Sequence, residues 1–434
     1  MKKVRANFFH QVDQFCKVVS GELFQEGELD SFNELHFDSR LIEPGMGFLA
    51  MEGENTDGNE YISQAVKSGA RLVISAKPMP QTLDPAVGYI QVECPLLALQ
   101  KYAAWHRQKS KHTLFFGVTG SFGKTTTKDC LKGLLGKKCI ASTGNYNNFL
   151  GMSLCLLKVR PEHEYAVMEM GISTPGEMGL LARILEPDHM VLTGLGHSHG
   201  EFFAAREDLI KEKLTSAKFL KDEGRLFLPE SLLELVKLHF ESPAKIRSLK
   251  TSLPCDDLER FADSLPVGTG SSFRLAASVA IELELAPQIL LERLTEISFS
   301  PMRMERKSVS GVDFLLDCYN ASPESMKAFL ESLPKRNDAV LVVADMLELG
   351  ERSQNEHRKV LELMQNISFG VGYLIGAEFH KAFDSVADDR LHCIQSKDEV
   401  LKEFQSRAPS FIALKGSRAF RLESLFEDYQ RILC

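Results

Sequence analysis

The sequence predicts an α/β protein of three domains on three observations. A chain of 434 residues allows about three cores at roughly 150 residues each. From residue 95 onward, short apolar runs alternate with amphipathic helical stretches, the pattern of parallel strands joined by helical crossovers. A glycine-rich turn, GVTGSFGKTTT (117–127), directly follows one of these runs and opens a helix.

The first block, 1–84, ends in the proline-rich stretch AKPMPQTLDP. The second, 85–307, opens with a helical pattern at 95–108 (PLLALQKYAAWHRQ) and the strand LFFGV at 114–118. It continues through strands at 165–170 (YAVMEM) and 189–195 (HMVLTGL) to an alanine-rich helix at 274–285. The third, 308–434, alternates regularly: FLLDCY, the helix PESMKAFLESL, AVLVVAD, a charged helix near 353–366, GYLIG, LHCIQ, FIALKG and a terminal helix.

Composition narrows the function. Lys plus Arg number 51 against 59 Asp plus Glu, a net charge of −8 that argues against a broad nucleic-acid surface. No apolar run approaches the ~18 residues of a membrane span. Arg5, Gln11 and Asp13 interrupt the start where a signal peptide would be apolar, so a cytoplasmic setting is expected. The nine cysteines are odd in number and form no CxxC pair, the pattern of reduced thiols.

Gly117, Gly120 and Gly123 let the backbone turn sharply and aim its amides at an anion, beside the positive end of the following helix. Lys124 would meet the β and γ phosphates of a nucleotide, and the Thr125 hydroxyl would ligate Mg²⁺. Thr126 belongs to the same phosphate-binding turn. Glu169 closes a strand, where an α/β sheet presents ligands, and its carboxylate suits a hard cation. His197 and His199 follow the next strand; with no cysteine or further histidine close by, they suit one imidazole near such a metal better than zinc.

These motifs, with TGNYNNFLG (143–151), MEMGISTPGEM, HSHGEFFAAREDLIKEK, DCYNASPESM (317–326), ADMLELGE (344–351) and LKGSR (414–418), follow the order of the Mur ligase signatures. The chain resembles that family over nearly its whole length. The resemblance implies a UDP-substrate domain at 1–84, a central P-loop domain and a Rossmann-like C-terminal domain receiving the incoming amino acid or dipeptide. It further implies ATP and two Mg²⁺, a peptide-bond-forming reaction in peptidoglycan synthesis and a monomer. ADMLELGE with KGSR favours ligation of D-alanyl-D-alanine to UDP-N-acetylmuramoyl-tripeptide. A sister ligase, a folate polyglutamylating enzyme or an inactive nucleotide-binding homologue are the alternatives.

Carried over by position, the resemblance assigns Gly120, Gly123, Lys124, Thr125 and Thr126 to ATP phosphates. Thr125, Glu169, His199 and Lys213 fall to the metal, Lys213 as a carbamylated lysine; read alone, Lys213 is a solvated helical lysine beside Lys211 and Glu212. Arg303 would contact phosphates across the cleft, and Asp317 and Asn320 the nucleoside, although both could instead cap the next helix. Lys124, Lys213, His199 and Arg303 form the implied catalytic set. Ser39, Arg40, Asp57 and Gly58 match the nucleotide-sugar site. Asn145, Asn147 and Asn148 match the muramoyl-peptide loop, and Lys415, Ser417 and Arg418 the third-domain substrate element. The chain departs from the pattern at Asn59, Gly194, Leu214, Thr215, Thr269, Gly270, Phe273 and Ser322.

Overall fold

The computed structural model describes residues 10–433 except 29, 54–55, 197–202, 204, 241, 243–244, 251, 385, 387 and 408. Three large sheets and a small two-stranded one, His10–Gln11 with Ser31–Phe32, make up the strands of the described residues. The first has five strands, ordered Glu22–Gln25, Gly88–Gln91, Leu72–Ser75, Gly47–Ala50 and Leu35–His36, with only the first pairing antiparallel. Gly88–Gln91 lies in this sheet, so the first unit extends past residue 84. At the other junction, Glu305–Val309 pairs antiparallel with Val312–Asp317 and joins the third sheet, so that unit starts before residue 308. Both boundaries drawn from sequence punctuation therefore cut a strand from its own sheet.

The central sheet is parallel throughout, in the order Ile246–Leu249, Arg225–Pro229, His189–Leu192, Leu114–Thr119, Tyr165–Glu169, Cys139–Ala141. Side chains alternate between its two helical layers: Phe115 packs into one core, Phe116 and Val118 into the other. The strand Leu114–Thr119 lies between strands that come later in the chain, so the order reverses beside it and a crevice opens at its carboxyl end. The alanine-rich helix spans Val267–Glu282, beginning earlier than the sequence suggests. Gly270 explains the extension, since a Cβ there would stand 2.5 Å from the Ala262 carbonyl oxygen of the adjacent helix. Gly270 thus serves close helix packing.

The third sheet runs Glu305–Val309, Val312–Asp317, Phe411–Lys415, Val340–Ala344, Val371–Ile375, Leu391–Ile394, parallel apart from its first pair. Leu341 and Val343 face one core, Val340 and Val342 the other. The eight described cysteines form no disulfide. No described helix is long and apolar enough to cross a membrane.

The junction of the first two units is expected to weaken in acid. His10 is 2% exposed, its Nε2 donating to the Leu157 carbonyl at 3.1 Å and its Nδ1 accepting from the Tyr102 hydroxyl at 3.3 Å. Burial, with His106 and Arg160 adding repulsion, pushes its pKa down to about 3. The folded chain thus binds fewer protons than the unfolded chain between about pH 3 and pH 6.5, so stability falls as pH drops through that window. At pH 5 the loss from this histidine is expected to approach about 2 kcal/mol. Unfolding midpoints at pH 7 and pH 5 check it: His10→Gln should flatten the dependence, and a variant profile as steep as the wild type would contradict it.

Candidate functional site

The glycine-rich turn owes its shape to crowding. Gly120 (φ +154°) and Gly123 (φ +78°) adopt conformations that favour glycine, and a Cβ on Gly120 would stand 2.2 Å from Thr193 Oγ1. The helix Lys124–Leu135 starts at the turn, so its unpaired amides face the crevice. Lys124 folds back over the loop, its Nζ donating to the Gly120 carbonyl at 2.9 Å. A second amine reaches the same oxygen: Lys213 Nζ donates to it at 3.1 Å, and Lys213 is 1% exposed. Burial, with repulsion from Lys124, lowers the Lys213 pKa well below the usual lysine range, although Glu212 opposes the shift. Lys213 is therefore no solvated helix lysine.

Glu169 ends its strand 2% exposed. The Thr125 hydroxyl donates to its Oε2 at 2.7 Å and Asn147 Nδ2 to its Oε1 at 3.1 Å, while its amide donates to Ser142 Oγ at 3.0 Å. Two hard oxygen donors, Thr125 Oγ1 and Glu169 Oε2, thus meet at the head of the phosphate loop. Among the described residues no three His, Cys, Asp or Glu side chains converge on a metal position. His197 and His199 lie outside the described residues.

The third unit forms the opposite wall of a cavity of about 910 Å³, at the upper end of the small-molecule range. Arg303 contributes a guanidinium stacked on Tyr319, its Cζ 4.1 Å from the ring centroid, with its buried Nε bonded to no described group. Burial lowers the Lys124 pKa; Glu169 and Glu348 oppose this and Arg303 reinforces it. Gly120 is not among the cavity's lining side chains, but Gly123, Lys124, Thr125 and Thr126 are.

Other expected residues are committed to the fold. Lys415, 1% exposed, pairs with Asp317 Oδ2 at 2.7 Å and donates to the Asn320 carbonyl at 2.7 Å, tying both expected nucleoside residues together. Ser417 Oγ donates to the Asp345 carbonyl at 2.8 Å. Arg418 stays half-exposed beside Glu423. Asn148 Oδ1 caps the helix Phe149–Leu156 by accepting from the Gly151 amide at 2.9 Å, Asn147 Nδ2 serves Glu169, and both residues line the cavity. Asn145 is exposed outside the cavity.

Ser39, Arg40, Asp57 and Gly58 lie in the first unit, away from this cavity. Ser39 Oγ donates to Gln64 Oε1 at 3.2 Å. Arg40 is solvent-exposed and holds Asp38 through Nε at 2.8 Å and Nη2 at 2.6 Å, pulling that carboxyl down to about 2. Asp57 accepts from Lys77 and the Asn59 amide, and a Cβ on Gly58 would stand 2.6 Å from the Met51 carbonyl oxygen.

The departures have local reasons. A Cβ on Gly194 would stand 2.5 Å from the Phe122 ring, so Phe122 fills the space an asparagine would need. Phe273 is fully buried and packs edge-on against Phe261, Leu214 is core, and Ser322 caps the helix Pro323–Glu331. Tyr319 and Glu348 are cavity residues that sequence reading did not single out, although both fall inside quoted motifs.

A glycine-rich phosphate loop with a buried carboxylate, faced across a cavity by a second α/β domain that brings Arg303 to it, defines a P-loop enzyme of the nucleotide-dependent ligase kind. Residues 31–104 match the Mur ligase family catalytic domain, 118–255 the Mur ligase middle domain and 302–418 the Mur ligase glutamate ligase domain. The UDP-N-acetylmuramoyl-tripeptide–D-alanyl-D-alanine ligase of Bacillus subtilis is 31% identical over 90% of this chain and 92% of its own length. The ligase so named in Treponema pallidum is 27% identical over 95% and 97%. The MurF crystal structure from Acinetobacter baumannii covers 98% of the chain and all of its own with TM-score 0.83 at 23% identity. MurF of Thermotoga maritima in complex with ADP covers 92% and 97% with TM-score 0.75 at 25% identity. The chain belongs to the Mur ligase family.

Proposed function

We infer that the chain is an ATP-dependent ligase joining D-alanyl-D-alanine to UDP-N-acetylmuramoyl-tripeptide. One observation carries the reading: end-to-end similarity to ligases bearing that name, at 31% identity for the Bacillus subtilis enzyme. The ADP complex of the Thermotoga maritima enzyme supports a nucleotide at the phosphate loop.

In this reading the γ-phosphoryl group passes to the terminal carboxylate of the tripeptide, giving an acyl phosphate. The dipeptide amine attacks the acyl carbon, the new C–N bond forms and inorganic phosphate leaves. Lys124 and Arg303, on opposite walls, neutralise charge on the transferring group, where most of the catalytic free energy of phosphoryl transfer lies. The hard oxygens of Thr125 and Glu169 fit Mg²⁺ and would hold it there, where it would neutralise charge on the nucleotide phosphates. The crowded, neutral-leaning Lys213 amine fits carbamylation: it adds to CO₂, forms an N–C bond, releases a proton and becomes an anion. We assign ATP to the central unit, the UDP moiety to the first and the dipeptide to the third, with the reaction cytoplasmic and the enzyme monomeric.

Tripeptide labelled with ¹⁸O in its terminal carboxylate tests the chemistry. One labelled oxygen should appear in the released phosphate; unlabelled phosphate alongside product would contradict an acyl phosphate. Arg40→Ala tests the division of labour. It should raise KM for the UDP substrate about tenfold, the worth of one charge-assisted hydrogen bond, and leave KM for ATP unchanged. Equal rises for both nucleotides would place Arg40 elsewhere.

A further inference from the structure

One imidazole ties the first unit to the loop beside the phosphate site. His36 ends the edge strand Leu35–His36, is 8% exposed and stacks on Phe37 with ring centroids 5.0 Å apart. Its Nδ1 accepts from the Asp38 amide at 3.0 Å, which pins the turn carrying Ser39 and Arg40. Burial lowers its pKa, so the ring is neutral near pH 7 and its remaining proton sits on Nε2. That proton is donated to the Tyr146 hydroxyl of the central unit at 3.1 Å.

Tyr146 passes the position on. A Cβ on Gly151 would stand 2.4 Å from Tyr146 Cα, and one on Gly171 2.8 Å from Asn147 Cγ, so close backbone approach on both sides holds this loop in place. The Asn147 carbonyl accepts from the Gly171 amide at 2.8 Å, and Asn147 Nδ2 donates to Glu169 Oε1 at 3.1 Å. The contacts thus run from the Ser39–Arg40 turn through His36, Tyr146 and Asn147 to the carboxylate that meets Thr125. Neither His36 nor Tyr146 lines the cavity, so both act through other residues. Resting on the ligase reading above, we propose that His36 is a positioning residue for ligation: through Nδ1 it sets the turn that meets the UDP substrate, and through Nε2 and Tyr146 it sets the loop whose Asn147 orients Glu169.

Two substitutions separate the two arms, because asparagine Oδ1 stands in for histidine Nδ1 and glutamine Nε2 for histidine Nε2. His36→Asn keeps the bond from Asp38 and cuts the one to Tyr146; His36→Gln does the reverse. Tyr146→Phe removes a single hydroxyl, and the junction retains the Lys158–Glu34 ion pair at 2.9 Å and the His10 bond to the Leu157 carbonyl, so the fold should persist. In steady-state ligation, Tyr146→Phe and His36→Asn should each lower kcat at least fivefold with KM for the UDP-tripeptide within twofold, and the double variant should lose no more than either. His36→Gln should instead raise that KM at least fivefold, with the smaller loss of kcat. Calorimetry of ADP binding reads the Glu169 arm without turnover: the strengthening by Mg²⁺ should be at least threefold smaller in Tyr146→Phe than in the wild type. An unchanged kcat in Tyr146→Phe, losses that multiply in the double variant, one pattern in both His36 variants, or equal Mg²⁺ effects on ADP binding overturns the proposal alone. A wild-type chain that makes no ligated product overturns the ligase reading and the proposal with it.

Discussion

Replacing Lys124 with alanine is expected to lower kcat for ligation at least a hundredfold, about 3 kcal/mol or more of barrier, while the fold persists. The side chain lines the cavity rather than the core and its amine bonds the Gly120 carbonyl of its own loop, so its loss opens no core cavity. Its charge stands among Glu169, Arg303 and Glu348, where a transferring phosphoryl group would sit. Removing a preorganised cation from such a place raises the transition state more than the ground state. Circular dichroism and a melting curve like those of the wild type, beside a rate reduced at least a hundredfold, are the expected pair. Near-normal ligation by a folded Lys124→Ala chain would sink the phosphate-loop assignment.

Lys213→Ala is expected to be nearly inactive, with partial recovery in acetate and none in chloride. The side chain is fully enclosed and shares one carbonyl oxygen with Lys124, so as an ammonium it repels its neighbour with no carboxylate bonded to it among the described contacts. Carbamylation converts that repulsion into attraction, and acetate in the vacated space would restore the anion. The volume-conserving Lys213→Met variant separates chemistry from folding: removing one of two crowded amines should leave the melting temperature unchanged or raise it. Full activity in either variant would mean that Lys213 plays a packing role only, and equal recovery in chloride would point to ionic strength.

The phosphate loop was legible because its signal is local: glycines, a lysine and a threonine at fixed spacing between a strand and a helix. Glu169 was legible for the same reason, standing at the end of an apolar run. The first sheet was not, since GFLA, LVIS and GYIQ are four-residue runs that tertiary pairing alone turns into strands. The start of the helix at Val267 was not legible because Gly268 and Gly270 are poor helix formers, and the close approach of the neighbouring helix that Gly270 permits is a tertiary fact. Lys213 shows the limit most clearly. Nothing in EDLIKEKLT distinguishes it from Lys211, and only the packing that buries one of them makes it chemically special. Likewise, the commitments of Asn147, Asn148 and Lys415 to Glu169, a helix end and Asp317 are long-range or conformational facts. Family resemblance marked these residues as important without telling which hydrogen bonds they make.

The most direct test of the ligase account is phosphate release by the purified chain with ATP and Mg²⁺, with the two other substrates supplied singly and together. The account predicts release only when UDP-N-acetylmuramoyl-tripeptide and D-alanyl-D-alanine are both present, matched one to one by a UDP-linked pentapeptide in the mass spectrum. Phosphate release that ignores the dipeptide, or product formed with a single amino acid in its place, would contradict it.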